Sequence, residues 1–251
     1  MRWLAQAMPD GGARVVKVLR VAPGLLELER LPMVPPGQGA GEAFGRALAI
    51  THAAGAPYYG APPAGWQGHG AIGNAPLSFV AKDQQTANWG EFYAQYRIAP
   101  YLAPAIRRGA LPESAAAVFE KLMQRLATGE LDSPQPALVE GVARIHGDLW
   151  AGNVLWQSEP WPENTGDWTG ATLIDPAAHG GHAETDLAML ALFGVPQYDQ
   201  IIEGYQAVSP LAEGWTERAG LHQLHPLLVH AVLFGQAYGE RAVKRAEECL
   251  I

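Results

Sequence analysis

Three polar residues at fixed distances from two short apolar segments limit what this chain can fold into. The sequence His146-Gly-Asp-Leu-Trp-Ala-Gly-Asn153 is followed directly by the apolar residues 154–156, and a second apolar segment, 171–174, ends at Asp175. Two such segments can pair as a β-hairpin around the loop 157–170. This pairing predicts that Asp175 returns to the side of Asn153 at one edge of a sheet.

The pattern supplies the groups that phosphoryl transfer to a hydroxyl requires. Asp148 is placed to accept the proton of the attacking hydroxyl. Asn153 and Asp175 carry oxygen ligands of the kind that Mg²⁺ prefers, and this ion bridges the phosphates of ATP. His146, which opens the segment, is included in the catalytic set. A loop held together by Asx turns, with no catalytic role, is the alternative interpretation.

The same segment resembles the fructosamine kinase (ketosamine 3-kinase) family. The Trp that follows Asp148-Leu149, and the extension Ile-Asp-Pro-Ala-Ala-His-Gly-Gly-His-Ala-Glu-Thr-Asp at 174–186, distinguish it from aminoglycoside and choline kinases. The resemblance implies an α+β, protein-kinase-like fold of two lobes, with a truncated N-terminal β lobe and a mainly helical C-terminal lobe. The similarity continues through 88–97, 214–218, 222–230 and 234–239.

The resemblance also implies the chemistry. ATP and Mg²⁺ are the expected cofactors, and a ketoamine (a fructosyl- or ribulosyl-amine) is the expected small-molecule substrate. Asp148 is the expected base, Asn153 and Asp175 are the expected magnesium ligands, and Asp186 is expected to anchor the catalytic loop without touching substrate.

The N-terminal residues indicate a fragment of a sheet. Residues 15–21 and 25–31 are two β-rich segments joined by Pro23-Gly24, which predicts a hairpin, and the Pro- and Gly-rich residues 32–41 form a linker. By the resemblance, the second strand leads into the hinge whose backbone meets adenine, with Glu29 and Leu31 at the contact positions. We therefore divide the chain into a remnant of the nucleotide-binding lobe and hinge, 1–34, and a helical catalytic and substrate lobe, 35–251.

This chain departs from the family pattern before that hairpin. A kinase of this type has a phosphate-covering loop, a strand Lys and a helix Glu, and none of them is found in this sequence. Residues 2–7 resemble the tail of that helix, and the resemblance therefore implies that about fifty residues present in relatives are missing before Met1. A late start codon, a deliberate truncation and a real loss are all open explanations. Lys17 is not expected to replace the missing Lys, because its side chain should face solvent.

Helical periodicity predicts much of the remaining chain. Trp89, Phe92, Tyr93 and Tyr96 share one helical face that we expect in the core, and one helix is expected over 218–238. The Gly- and Pro-rich residues 57–76 predict a long irregular loop near a functional site.

Aromatic and histidine residues near the loop are candidate substrate contacts. Trp150, two residues after Asp148, is expected to contact the ligand, while Trp215 fits either a ligand contact or the core. His179 belongs to a His-x-x-His-x-Glu-x-Asp cluster, for which we favour substrate-loop or hydrogen-bonding roles, or helix capping, over a zinc site. Gly180-Gly181 make the first part of this cluster a loop, and Glu184 and Asp186 lie two residues apart, so one helix cannot direct both at a single ion.

Charge and composition exclude several classes of partner. The net charge of -8 disfavours nucleic acid and anionic membranes, and no apolar run reaches the roughly 18 residues of a membrane span. A single cysteine, Cys249, fits the cytoplasm as the default compartment. Oligomeric state is left open. Two rival functions remain: a binding module that no longer processes ATP, and a kinase for another small molecule of the aminoglycoside or choline type.

Overall fold

The fold consists of short β-strands, several of them paired as hairpins, and of helices that make up most of the regular structure. The computed structural model describes residues 1–157 and 170–251. The strands are β1 (Arg14–Val15), β2 (Val18–Ala22), β3 (Leu25–Leu28), β4 (Gly70–Ile72), β5 (Ala75–Leu77), β6 (Ala143–Ile145), β7 (Val154–Trp156), β8 (Ala171–Leu173) and β9 (His179–Gly181). The α-helices are α1 (Arg2–Ala5), α2 (Ala40–Ala53), α3 (Trp89–Tyr93), α4 (Ala99–Arg107), α5 (Ala115–Ala127), α6 (Ala183–Phe193), α7 (Tyr198–Val208), α8 (Trp215–His222), α9 (Leu224–Phe234) and α10 (Gln236–Glu248).

The N-terminal hairpin is confirmed, but the first predicted strand is divided between two sheets. β2 and β3 pair in antiparallel register from Val18 opposite Leu28 to Ala22 opposite Leu25. The residues just before β2 form β1, which pairs in parallel with β8 in a three-stranded sheet of order β1-β8-β7. Val15 is buried whereas Val21 is exposed, so the segment changes partner where its side chains leave the core.

Two glycines allow α2 and α7 to pack with their backbones nearly touching. A Cβ atom on Gly45 of α2 would lie 2.0 Å from the carbonyl oxygen of Ile201, and one on Gly204 of α7 would lie 2.0 Å from the carbonyl oxygen of Glu42. Side chains at these positions would therefore force the helices apart. Nearer the end of α2, His52 also contacts α7, with its Nδ1 2.9 Å from the hydroxyl of Tyr205.

Aromatic residues of α3 lie in the larger of two apolar clusters, as the periodicity predicts. Asn88 caps the helix by accepting a hydrogen bond from the backbone N–H of Glu91 at 2.7 Å. Trp89, Phe92 and Tyr93 are buried against α5 and α9, while Tyr96 is only partly buried. After Tyr93 the helix widens into a π-helical turn, Ala94–Ile98, before α4 begins. The second cluster packs α1, α2 and α7 around β7 and β8.

Three sequence expectations for this part of the fold are wrong. The single helix expected over 218–238 is three helices, because Gln223 ends α8 and Gly235, at φ +99°, ends α9. The loop expected over 57–76 contains β4 and the start of β5. The segment expected as a Gly-rich loop is β9, which pairs with β6.

The glycines of β9 are required by close neighbours. A Cβ on Gly180 would lie 2.2 Å from the carbonyl oxygen of Tyr58, and one on Gly181 would lie 2.4 Å from the side chain of Ile145.

No helix within 1–157 or 170–251 is both long enough and apolar enough to cross a bilayer.

Candidate active site

The predicted hairpin of β7 and β8 is present, and it places Asp175 one residue beyond the residue that pairs with Asn153. Val154 pairs with Leu173 and Trp156 pairs with Ala171. Beyond the ladder, the backbone N–H of Ile174 donates to the carbonyl oxygen of Asn153 at 3.1 Å. Asp175 follows directly, at φ +47°, which is uncommon for a residue with a side chain. The predicted loop between the strands falls almost wholly on 158–169, outside the described residues.

Asn153 is bonded to Asp148 rather than to solvent. It ends a 3₁₀ turn, Ala151–Asn153, that immediately precedes β7. Its Nδ2 group donates to the carbonyl oxygen of Asp148 at 2.7 Å and to the carboxylate Oδ2 of Asp148 at 3.1 Å. Because the amide nitrogen is committed to Asp148, Oδ1 is the atom through which Asn153 can bind a cation.

The electrostatic environment of Asp148 suits a proton acceptor. The pKa of Asp148 is raised to about 6. Burial is the largest cause and the charges of Asp175 and Asp186 act in the same direction, while the hydrogen bond from Asn153 acts to lower the pKa. A carboxylate with this pKa is a stronger base than an exposed one, yet it is largely ionised at neutral pH.

His146 fixes the loop from within. Its side chain is buried, and its Nε2 lies 2.9 Å from the carbonyl oxygen of Ile174. The carbonyl oxygen can only accept, so Nε2 carries the proton. Nδ1 then accepts from the backbone N–H of Asp148 at 3.2 Å. His146 therefore links the loop that carries the base to the strand that ends at Asp175, and acts as a positioning residue.

Asp186 anchors the same loop from α6. Its carboxylate accepts hydrogen bonds from the backbone N–H groups of His146 at 2.6 Å and Gly147 at 2.9 Å. The Nε2 of His52 lies 3.1 Å from the same carboxylate, and Nδ1 of His52 lies 2.9 Å from the hydroxyl of Tyr205. Burial acts to raise the pKa of Asp186, but these hydrogen bonds and nearby imidazoles lower it overall.

A cleft of about 500 Å³ opens beside Asp175. It is bordered by the β2–β3 hairpin on one side and by the segment after Asp175 on another. Three aromatic side chains that the sequence did not single out also line it: Trp3, Trp66 and Phe79. Trp66 comes from the 57–76 segment that we expected near a site.

The two hinge residues are not among those that line this cleft. Arg14 donates to both carboxylate oxygens of Glu29 at 2.8 Å, and the backbone N–H of Lys17 donates to Glu29 Oε1 at 2.7 Å. The backbone N–H of Glu29 is bonded to the carbonyl oxygen of Lys17. Leu31 follows outside β3, half-buried.

The three candidate substrate contacts lie in different environments. Trp150 is exposed beside the loop, and its ring packs over Gly152, where a Cβ would lie 2.2 Å from the indole. Trp215 begins α8 and packs partly buried against the second apolar cluster. His179 is buried: its Nδ1 lies 2.7 Å from the carbonyl oxygen of Ala177, and its Nε2 accepts from Arg97 Nε at 3.3 Å.

Arg97 is a buried cation that the sequence did not identify as part of a network. Its Nη1 donates to the carbonyl oxygens of Ser78 and Tyr96, and its guanidinium lies 4.7 Å from the ring centroid of Phe92. Burial lowers the pKa of Arg97 to about 10. Its nearest titratable neighbour in the hydrogen-bond network is the neutral imidazole of His179.

Glu184 forms a second buried network. Arg218 donates to both of its carboxylate oxygens, at 2.7 and 3.2 Å. Burial acts to raise the pKa of Glu184, but the imidazole of His222, whose Nε2 lies 3.3 Å from Oε2, and the hydrogen bonds from Arg218 lower it to about 2. His182, Glu184 and His222 offer ligand atoms within 4.8 Å of one another, but Arg218 already places a positive charge on this carboxylate. Glu184 and Asp186 bond to different partners, as their spacing predicts.

Comparison with known proteins identifies the same family that the sequence resembles. A family model described as fructosamine kinase matches residues 22–251. The chain is 35% identical over 210 residues to slr1563 of Synechocystis sp., which carries the name probable ketoamine kinase; the match covers 82% of this chain and 61% of that protein. It therefore spans about three-fifths of the length of this relative.

Solved structures share the fold. A protein assigned as a fructosamine-3-kinase from Thermobifida fusca is 43% identical with a TM-score of 0.80, over 99% of this chain and 79% of that one. A choline/ethanolamine kinase family protein from Mesorhizobium loti has a TM-score of 0.53 at 17% identity, over 99% of this chain and 77% of that one, which shows a kinase-like α+β fold. The chain belongs to the fructosamine kinase family.

Proposed function

We propose that the chain is a phosphotransferase that moves the γ-phosphoryl group of ATP to a sugar hydroxyl of a ketoamine. The observation that carries this proposal is the junction of Asp148, Asn153 and Asp175 on one loop and hairpin, with Asp175 facing a cleft of about 500 Å³. Family membership supports the same reaction, because the relatives are named as ketoamine and fructosamine kinases.

Asp148 is the proposed general base. It accepts the proton of the attacking sugar hydroxyl, and the hydrogen bond from Asn153 holds its carboxylate in place. Hydrogen bonds of His146 connect the loop that carries the base both to Asp186 and to Ile174, which directly precedes Asp175.

The donor set fits magnesium. Asn153 offers an amide oxygen and Asp175 a carboxylate, and both are hard oxygen ligands. These two residues would hold Mg²⁺, which when bound neutralises charge on the ATP phosphates. The hinge is proposed to bind adenine through backbone groups around Glu29 and Leu31 other than the N–H of Glu29, which already donates to the carbonyl oxygen of Lys17. The ion pair of Glu29 with Arg14 holds that segment against β1.

The substrate is proposed to lie against Trp150. Its exposed ring, held over Gly152 two residues after the base, offers a flat face on which a sugar can stack. The net charge of -8 and the single cysteine suit a small-molecule enzyme of the cytoplasm.

The test is transfer by the chain itself. The protein is incubated with ATP, Mg²⁺ and a fructosyl-alkylamine, and the phosphorylated ketoamine is measured by mass spectrometry, with EDTA and omission of ATP as controls. Magnesium-dependent product supports the proposal. Ligand binding without product would instead support a binding module, and product from choline or an aminoglycoside alone would support a kinase of another class.

A further inference from the structure

A small internal cavity lies beside the loop that carries Asp148. It has a volume of about 10 Å³ and is surrounded by α3, β6, β9, α6 and α9. Arg97 lines it, and so does Gly147, the residue before Asp148. Three histidines also lie in its wall: His179, His182 and His225. All of its lining residues except Thr185 are buried, so the cavity belongs to the interior of the protein. We call it the Arg97 cavity.

One nitrogen of the Arg97 side chain is left for a ligand. Arg97 reaches the cavity from the π-helical turn that follows α3. Its Nε donates to His179 Nε2 at 3.3 Å, and its Nη1 donates to the carbonyl oxygens of Ser78 and Tyr96, both at 2.9 Å. Nη2 is buried and has no hydrogen-bond partner among residues 1–157 and 170–251. Nη2 is therefore the atom through which Arg97 can bind a ligand in the cavity.

The positive charge of Arg97 is not balanced by a carboxylate. Its acceptors are two backbone carbonyls and the imidazole of His179, whose Nδ1 lies 2.7 Å from the carbonyl oxygen of Ala177 and so carries the proton. Within the part of the chain that the structure describes, no aspartate or glutamate lines the cavity or forms an ion pair with Arg97. A cation buried without an opposite charge is costly, and buried charges are normally paired.

Arg144 shows how the protein treats another arginine that has no carboxylate partner among the described residues. Arg144 is only partly buried, so solvent screens its charge. Each of its nitrogens donates to an oxygen, and the acceptors belong to Gly55, Trp3, Gln6 and Ala54. Arg97 has neither the solvent nor the complete set of acceptors.

The volume of the Arg97 cavity limits its occupant to one small particle. About 10 Å³ is the space that a single water-sized sphere requires, so phosphate, sulfate and carboxylate groups are too large. A water molecule can accept a hydrogen bond from Nη2 but brings no charge. A monoatomic anion accepts the same hydrogen bond and also balances the guanidinium, and charge-assisted hydrogen bonds are stronger than neutral ones.

We propose that the Arg97 cavity binds one chloride ion, held by Nη2 of Arg97, as the counter-ion of the buried guanidinium. The described residues that line this cavity do not line the cleft beside Asp175, and the inference does not depend on the proposed reaction. Because Gly147 lies in the wall, the ion stabilises the part of the core against which the loop of Asp148 packs.

The test is urea unfolding of the full chain in sodium chloride and in sodium gluconate at equal ionic strength. Gluconate is too large for the cavity. We expect the equilibrium constant of unfolding to be about 10-fold lower in chloride, as mass action gives when the chloride concentration is about ten times the dissociation constant. Arg97→Met keeps the length of the side chain and removes its charge, so its unfolding should be the same in both salts.

Arg144→Met is the matched control, because it removes an arginine that lies outside the cavity and should keep the chloride effect. Equal unfolding of the wild-type chain in the two salts would overturn the inference. A chloride effect that persists in Arg97→Met, or one that Arg144→Met also abolishes, would overturn it as well, since the response would then not come from this cavity.

A second measurement needs no variant and applies even if Arg97→Met does not fold. Crystals of the wild-type chain grown in sodium chloride are examined by anomalous diffraction at a long wavelength, where chlorine scatters anomalously and water does not. We expect an anomalous peak beside Nη2 of Arg97. A water molecule at that position, or the absence of any peak, would contradict the proposal.

Discussion

The side-chain amide of Asn153 donates to two oxygens of Asp148, the backbone carbonyl at 2.7 Å and the carboxylate Oδ2 at 3.1 Å. One residue therefore holds the carboxylate of the proposed base and has Oδ1 left for the proposed cation. In the proposed function, the base and one metal ligand are thus coupled through a single side chain.

Asn153→Ala removes both contributions at once. We expect the magnesium concentration for half-maximal rate to rise at least about 10-fold and the maximal rate to fall as well, because a ligand is lost and Asp148 is no longer held. Magnesium titrations of the initial rate measure both quantities. Gln95→Ala, which truncates an exposed amide on another helix, is the control; an unchanged magnesium requirement in Asn153→Ala would contradict the assignment.

The glycine contact between α2 and α7 predicts that two Gly→Ala substitutions, one in this contact and one outside it, differ strongly in their effect on stability. Gly45→Ala places a Cβ 2.0 Å from the carbonyl oxygen of Ile201, so we expect a loss of about 2 kcal/mol or more in the free energy of unfolding. Gly37→Ala adds its Cβ in open space, and its effect should stay within about 0.5 kcal/mol. Urea denaturation of both variants measures the difference. Equal stabilities would show that the helices do not pack this closely.

Two buried imidazoles predict a loss of stability in mild acid. Burial and the charge of Arg97 lower the pKa of His179 to about 3, and burial and the charge of His222 lower that of His182 to about 3, from 6.5 in both cases. Below about pH 6.5 the unfolded chain binds protons that the folded chain does not, so stability is fully present above that pH and declines towards pH 3. Each group should cost roughly 2 kcal/mol between pH 7 and pH 5.

Urea midpoints at pH 7.5 and pH 5.0 test this directly. We expect a lower midpoint at pH 5.0, and a smaller difference between the two pH values in His179→Gln, which removes one of the two groups. A midpoint that is the same at both pH values would mean that these imidazoles are not held neutral in the folded chain.

Features set by neighbouring residues could be predicted from the sequence. The β7–β8 hairpin needs only two short apolar segments around a loop, and the β2–β3 hairpin needs only a Pro-Gly turn between two β-rich segments. The hydrogen bond between Asn153 and Asp148 joins two residues of one short sequence, which is why the proposed catalytic loop could be delimited from the sequence. Burial of Trp89, Phe92 and Tyr93 follows from helical periodicity alone.

Contacts between distant parts of the chain could not be predicted in this way. His52 of α2 and Asp186 of α6 meet although 134 residues separate them in the sequence, and Arg218 of α8 reaches Glu184 of α6. The strand β9 was missed because its glycines indicate a loop, although here they admit the close approach of Tyr58 and Ile145. Arg97 directly follows the aromatic helical face in the sequence, but its bond to His179 depends on the position of β9.

The central claim is that Asp148 is the base for phosphoryl transfer from ATP, and Asp148→Asn tests it most directly. This substitution keeps the shape of the side chain and removes its capacity to accept a proton at neutral pH. Circular dichroism and calorimetric titration with magnesium-ATP would show that the variant is folded and binds nucleotide.

The decisive measurement is the rate at which the phosphorylated ketoamine forms, compared between the wild-type chain and Asp148→Asn. The account predicts magnesium-dependent product from the wild-type chain and a rate at least about 100-fold lower in Asp148→Asn, in keeping with the contribution of a general base. A folded Asp148→Asn variant that transfers phosphate at the wild-type rate would contradict it.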